Sequence, residues 1–315
     1  MKLTAEQTKR IVANIERYLE KEVSVSERMS ANNSELAAFV SSSVAKDVRT
    51  KSFFAEDMPL EEYLPALSSS SDALINALDE NLTLAKSKLC VDNSAYVADF
   101  CGKITERLKV DARLKPSPAL FSENVAKIRG GKVAFADSQL LALAFSKFQK
   151  KDAELTPSHV RSFTDACEDV ESGICDYCIL PIENNREGIL LTVYNLIDRY
   201  DLYVAKVCSV ENSDLTTKFA LLYPRIHGII ETFGKQFVDL RFSTHSQKLF
   251  AEILTGASVL DISLIKTVAT PLGYADGYTH ICTFSGNNES LFSFLLFLKT
   301  IRADYTLIGA YEETL

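Results

Sequence analysis

Residues Ser162–Ile197 read SFTDACEDVESGICDYCILPIENNREGILLTVYNLI, and the change of hydrophobic period inside this stretch decides the fold class. Apolar residues recur at helical spacing over Val160–Val170, and Gly173 stops that helix. Ile174–Pro181 is then a continuous apolar run, the pattern of a strand buried on both faces in a sheet covered by helices. A further helix is predicted over 188–199. Upstream, the turn signal Gly130-Gly131 precedes a short strand, Lys132–Asp137, and helical spacing over Leu140–Phe148. Downstream, strands are predicted at 202–210 and 216–223. Strands and helices alternate, which is an α/β arrangement.

Further along, the pattern turns simpler. Phe237–Ser243 alternates as a strand and Gln247–Leu254 is an amphipathic helix. Leu260–Thr267 and His280–Phe284 read as strands, Ser290–Ile301 as a strongly apolar helix, and Tyr305–Tyr311 as a last strand. The order βαββαβ predicts an α+β ferredoxin-like sandwich over about residues 236–315. Residues 1–112 read as helices throughout. Thr4 and Gln7 form a capping box ahead of Ile11, Val12, Ile15 and Leu19. A second helix carries Leu36, Phe39, Val40 and Val44. A third, after the polar run Ser68–Asp72, carries Ile75, Leu78, Leu82, Ala85 and Leu89. Asn93 and Ser94 cap a fourth with Val97, Phe100, Ile104 and Leu108. Such stripes make a bundle. The proline-containing stretch DARLKPSPA, Asp111–Ala119, is the first predicted boundary and the region of Gly234 the second. The expected organisation is therefore multidomain, with a helical bundle at 1–112, an α/β unit at 120–232 and an α+β unit at 236–315.

Composition narrows the function classes. The 315 residues carry 34 basic and 42 acidic side chains, for a net charge of −8, opposite to the usual lean of a nucleic-acid binder. The longest apolar run, Leu291–Leu298, falls far short of the ~20 residues that a membrane helix needs. The first residues, MKLTAEQTKR, lack the apolar core of a secretory signal. Seven cysteines then read as reduced thiols of a cytoplasmic protein. Cys175 and Cys178 form a C-x-x-C. Cys178 sits inside the apolar run CILPI, no second such pair exists, and His159, His227, His245 and His280 are scattered. The pair reads as packing, with no metal or cofactor implied.

The run from Val170 to Gly188 carries a resemblance. Val170 and Gly173, then Asp176-Tyr177, then Pro181-Ile182-Glu183-Asn184-Asn185 and Gly188, ahead of a helix with a paired leucine, resemble the central motif of the prephenate dehydratases. Thr217-Lys218-Phe219 resembles the family's second signature, Thr-Arg-Phe. The C-terminal βαββαβ cycle is similar to the ACT domain that follows in that family, so the resemblance covers about residues 131–313. It implies a lyase of phenylalanine biosynthesis that removes water and carbon dioxide from prephenate. In that reaction Thr217 and Asn184 take the catalytic positions, and Glu183, Asn185, Lys218 and Phe219 line the substrate. A small dicarboxylate needs cationic or amide clamps and a proton donor near its hydroxyl, and Asn184 at a strand end offers both kinds of amide hydrogen bond.

The sequence also departs from that family. Its strand-following loop of the form GPEGTFS is replaced by Ser138-Gln139-Leu140-Leu141. Its Arg is Lys218, a point charge in place of a two-pronged fork. Only 31 residues separate Asn185 from Thr217, where the family inserts a second lobe. The ACT-like part has Gln247-Lys248-Leu249 and Lys266-Thr267-Val268-Ala269 where phenylalanine-sensing members carry Gly-Ala-Leu and Glu-Ser-Arg-Pro. Some members place a helical chorismate mutase ahead of the dehydratase, the position of the bundle here. Lys9, Arg10, Arg17 and Lys21 do not form that enzyme's Arg-x-x-Ile-Asp-x-x-Asp pattern and read as surface charge. The expectation is a diverged family member, weak or inactive, that acts by ligand binding or assembly. The alternative is an active prephenate dehydratase. Partners expected are a small carboxylate and a second copy of the chain, which the open sheet edges and the apolar helix Leu291–Leu298 would need as cover, and neither nucleic acid nor membrane.

Overall fold

The computed structural model describes residues 5–51, 78, 80–82, 93–111, 130–151, 154–212, 214–224, 236–245, 247–272, 276–311 and 313–314. Thr4, the Ser68–Asp72 cap, the linker beyond Asp111 and the region of Gly234 lie outside the described residues.

All described residues before Asp111 are helical or cap a helix. The two helices expected before residue 50 are one, α1, Ala5–Lys51. No glycine or proline interrupts it. Serines within it bond back to their own helix, as Ser34 Oγ does to the Ser30 carbonyl at 3.0 Å and Ser42 Oγ to that of Phe39 at 3.1 Å, a pattern helices tolerate. α2, Ser94–Asp111, packs on α1. Among the described residues no helix is long and apolar enough to cross a membrane.

The α/β part runs β1 (Gly131–Ala136), α3 (Gln139–Lys151), β2 (Leu155–Val160), α4 (Phe163–Glu171), β3 (Tyr177–Asn184), β4 (Gly188–Ile189), α5 (Leu191–Arg199), β5 (Leu202–Asn212) and β6 (Leu215–Pro224). β2 is a strand that periodicity missed, and helix α4 starts only after it. β2 contains Pro157 and lies at the edge of the sheet, where a missing N–H is tolerated. Ile174, read as part of a buried strand, is 57% exposed, in the turn before β3. The C-terminal part is β7 (Gln236–Thr244), α6 (Gln247–Val259), β8 (Ser263–Pro271), β9 (Tyr278–Gly286), α7 (Asn288–Thr300), β10 (Tyr305–Tyr311) and β11 (Glu313–Thr314).

These strands form one sheet in the order β2-β1-β3-β6-β5-β10-β7-β9-β8. β10 joins the two parts, pairing antiparallel with β7 and parallel with β5 at Gly309 and Val204. A Cβ on Gly309 would stand 2.5 Å from that of Val204, so the junction requires glycine. One face of the sheet packs α3, α6 and α7, with α2 lying over α6 and α7 and α1 over α2; the other packs α4 and α5.

The apolar helix α7 was expected to need a second subunit to cover it. Residues Leu291–Leu298 are indeed buried, but within the chain, where α2 lies across α7. Ser293 Oγ donates to Thr105 Oγ1 at 2.7 Å, and Lys109 pairs with Glu289 at 2.7 Å. α6 and α7 approach so closely that a Cβ on Gly256 would lie 2.2 Å from Phe297 Cε1. In an open helix Gly→Ala stabilises by about 1 kcal/mol. Here Gly256→Ala is expected to destabilise by about 1–3 kcal/mol through overpacking, which urea denaturation reads as a lower midpoint.

Candidate functional site

The motif segment is built around β3. Ser162 caps α4, its Oγ accepting from Asp165 N–H at 3.1 Å, and Gly173 ends that turn at φ +73°, a conformation costly for any residue with a Cβ. Asp176 then anchors the strand: its carboxylate accepts from Lys132 N–H at 2.7 Å, and its own N–H donates to the Lys132 carbonyl at 2.9 Å. After β1 only Asp137 and Ser138 intervene before α3, so a loop of the form GPEGTFS has no room to form. Between Asn185 and Thr217 the chain holds β4, α5 and β5 and no second lobe, among the described residues.

β3 pairs antiparallel with β6, placing Asn184 opposite Thr217, Glu183 opposite Lys218 and Pro181 opposite Phe219. All six predicted site residues thus meet at one strand pair, but strand alternation divides them between two faces. Phe219 is 2% exposed and belongs to the core under α3, and Thr217, two residues before it, shares that side and is 6% exposed. Lys218 precedes Ala220, which packs on the α4 and α5 side. Glu183 is also on that side, where its charge reaches Tyr194 of α5.

Several of these polar groups are bound within the fold. Asn184 Oδ1 accepts from the N–H groups of Arg186 and Glu187 at 2.9 and 2.7 Å, closing its own turn. Asn185 is clamped to the start of β6: its Nδ2 donates to the Asp214 carbonyl at 2.9 Å and its Oδ1 accepts from Thr216 N–H at 3.2 Å. Glu183 forms an ion pair with Lys266 of β8. Lys266 was not among the predicted site residues.

That pair reports the shape of the sheet. Six strand-to-strand steps separate β3 from β8, which in a flat sheet would be about 29 Å. The two side chains can touch only because the sheet curls around α5. Register shifts at Pro181/Glu183, Val204/Lys206, Leu264/Lys266 and Leu307/Gly309 supply the bending, and Glu183 and Lys266 each directly follow one. Bulges bend strands and re-aim side chains in this way.

Inside the curl lies a buried polar cluster. Asp239 of β7 is fully buried. It accepts from Tyr194 Oη at 3.0 Å, Thr283 Oγ1 at 2.5 Å and Tyr311 Oη at 3.2 Å. Burial raises its pKa above the ordinary carboxylate value, while Lys266 and the three hydroxyls oppose the rise. Burial, with Asp239 beside it, holds Tyr194 protonated. Arg241, on the same face of β7, pairs with Asp198 and donates from Nη2 to the Tyr194 carbonyl at 3.3 Å. These groups tie α5, which directly follows the motif, to β7, β9 and β10.

A second feature lies at the far end of the C-terminal strands. A cavity of about 510 Å³ is lined by Thr244, His245, Phe250, Ala269, Tyr278 and His280, with Gly277 at its rim. His280 stacks on Phe250 at 4.5 Å between centroids, shares a 2.9 Å hydrogen bond with Thr244 Oγ1, and is kept toward its neutral form by burial. Among the described residues no Lys, Arg, Asp or Glu lines this cavity.

Cys175 and Cys178 are both buried free thiols. Burial raises the Cys175 pKa, and contact with the Cys167 thiol together with burial raises that of Cys178, the opposite of a reactive thiolate.

Residues 127–222 match the family model described as prephenate dehydratase. That segment of the chain is similar to the family. Among curated proteins it is similar to a bifunctional chorismate mutase/prephenate dehydratase of Buchnera aphidicola subsp. Baizongia pistaciae (strain Bp), at 30% identity over 128 residues, 40% of this chain and 33% of the relative. The chain thus aligns with about a third of that relative's length. Among solved structures it is similar to prephenate dehydratase from Streptococcus mutans, with a TM-score of 0.50, 20% identity, and 58% of this chain and 99% of the other covered. This likeness shows the fold. Prephenate dehydratase from Arthrobacter aurescens in complex with L-Phe has a TM-score of 0.45, at 13% identity, over 57% of this chain and 89% of the other.

Proposed function

We propose that this chain is a diverged prephenate dehydratase family protein that no longer turns prephenate over at an enzymatic rate and acts by binding a small carboxylate or by assembly. The observation that carries the reading is the bonding of the motif. Asn184 and Asn185 are spent on turn and strand contacts and Glu183 on Lys266, while Thr217 and Lys218 face opposite sides of the sheet. Catalysis of this kind needs groups converging on one water-excluding site. Lys218 in place of Arg, the short β1–α3 turn and the absence of a second lobe after Asn185 point the same way. The reading keeps a cytoplasmic location, three units at 1–112, 120–232 and 236–315, and an ACT-like last unit. It is tested by phenylpyruvate formation from prephenate, with a thermal shift in prephenate reporting binding without turnover. The second reading, an active dehydratase, is favoured by one observation: Asn184 and Thr217 remain register partners at the end of β3.

The C-terminal unit is expected not to bind phenylalanine. Lys266 is held by Glu183, and the cavity by His280 and Phe250 presents no charged group to a zwitterion, whose two charges would lose hydration without compensation. Calorimetric titration should give dilution heats only; a micromolar dissociation constant would contradict the expectation.

The homodimer stays part of the proposal, but not for the reason read from the sequence, since α2 covers α7.

A further inference from the structure

We propose that the cavity between the start of α6 and the ends of β7, β8 and β9 is a binding site for an uncharged, flat aromatic molecule carrying one hydrogen-bond donor, of the phenol or indole class. This inference does not rest on the reading of the motif strand, and it gives the C-terminal unit a ligand class that excludes amino acids.

Two cross-strand rows build the site. Phe242, His280 and Ala269 are register partners across β7, β9 and β8, and so are Thr244, Tyr278 and Pro271. The rows lie two residues apart along each strand, so all six side chains point to one face, the face on which Phe242 and Phe250 of α6 pack. Ala269 stands among rings. Its short side chain opposite His280 leaves room for a cavity of about 510 Å³, within the range of small-molecule pockets. Gly277 fixes the rim. At its φ of +138° a Cβ would lie 2.5 Å from the Thr244 carbonyl oxygen, so β9 enters against the end of β7 with no side chain between them.

The walls are flat and apolar. Phe250 and His280 stack at 4.5 Å between centroids with 12° between planes, and Tyr278 is tilted, 6.3 Å from His280. Such faces take a ring by offset stacking or edge contact. Tyr278 is 48% exposed, a large ring at the mouth of the cavity.

Charge and hydrogen bonding select the class. Among the described residues no charged side chain lines the cavity, and burial keeps His280 toward its neutral form. A carboxylate or an ammonium would lose hydration there without compensation. His280 Nε2 shares its bond with the buried Thr244 hydroxyl. His245 Nδ1 lies 2.8 Å from the Asp276 carbonyl, which only accepts, so Nδ1 carries the proton. In the neutral ring Nε2 then offers a lone pair. A ligand N–H or O–H satisfies that acceptor, whereas a carboxylate, itself an acceptor, does not.

The test uses the full chain. It has no tryptophan, so the emission of added indole, excited beyond the tyrosine band, reads binding without background. Indole is expected to saturate the wild type with a dissociation constant of about 0.1–1 mM, as suits so small a ligand. N-methylindole keeps the ring and lacks the donor, and should bind about five-fold more weakly. L-tryptophan, the same ring with two charges, should give dilution heats only in calorimetry. Ala269→Phe, at an exposed strand position that accepts a ring, should fill the cavity and weaken indole by about ten-fold or more, with the urea midpoint unchanged. Tyr278→Ala, at the open mouth, should weaken indole by a factor of about 2–10 and reads the same contact should Ala269→Phe lower the midpoint. Indole that fails to saturate up to its solubility would overturn the proposal. So would affinity that neither variant lowers, which places indole elsewhere. L-tryptophan binding as tightly as indole, or N-methylindole binding equally well, would overturn the ligand class.

Discussion

Replacing Asp239 by Ala is expected to destabilise the folded chain by about 2–4 kcal/mol. The carboxylate is the common acceptor for Tyr194, Thr283 and Tyr311, and its loss strands three hydroxyls that have no water to turn to. Each orphaned donor costs about 1–3 kcal/mol; against this stands the relief of no longer burying a carboxylate, which lowers the total. The loss should appear as one cooperative transition in urea, because the cluster joins α5 to β7, β9 and β10 rather than decorating one element. The pH dependence has a definite sign. Burial raises the pKa of Asp239 in the folded state above its unfolded value, so the folded chain holds this proton more tightly. The contribution of the group is greatest below the ordinary carboxylate pKa and declines as pH rises through the raised folded value. Asp239→Asn should remove that decline. The stability difference between wild type and Asp239→Asn, measured in urea at a series of pH values, should therefore shift against the wild type as pH rises through that window. A flat difference would mean that Asp239 is not strained by its burial.

The second large effect concerns the reaction itself. A dehydratase must hold both carboxylates of prephenate while a proton reaches the leaving hydroxyl. Losing one preorganised charge-stabilising donor costs about 100- to 1000-fold in rate. In this chain the β1–α3 loop is two residues long, Lys218 stands in for Arg, and no lobe follows Asn185 among the described residues. Together with the internal bonding of Asn184, Asn185 and Glu183, three such losses predict no measurable turnover. Thr217→Ala should then change nothing in an activity assay.

Much of this architecture was legible in the residues. Gly173, Pro181 and the apolar run before it marked the helix end and the central strand, and the βαββαβ order of the C-terminal part was correct, although the strand read at Leu260–Thr267 runs Ser263–Pro271 because Leu260–Ile262 form the turn after α6. The pairing that sets Asn184 against Thr217 was not read from the residues, since periodicity gives strands but not their partners. What periodicity could not see was curvature. Glu183 and Lys266 lie 83 positions apart, and their contact depends on bulges that displace a strand by one residue without leaving a mark in hydrophobic spacing. Asp239 and Arg241 are charged residues on one strand face, a visible signal. In an isolated ferredoxin-like unit that face would be open to water, however, and only the packing of α5 makes it an interior. α1 was read as two helices from two separate apolar stripes; without glycine or proline between them and with hydroxyls bonded back to the helix, it continues as one. β2 was missed because an edge strand can keep Pro157 and exposed positions.

The most direct test of the central claim is a phenylpyruvate absorbance assay of the purified full chain with prephenate, beside the Thr217→Ala variant. The account predicts that both proteins give the same rate as buffer alone. Formation of phenylpyruvate at an ordinary enzymatic rate by the wild type, abolished in Thr217→Ala, would contradict it and establish the chain as a working dehydratase.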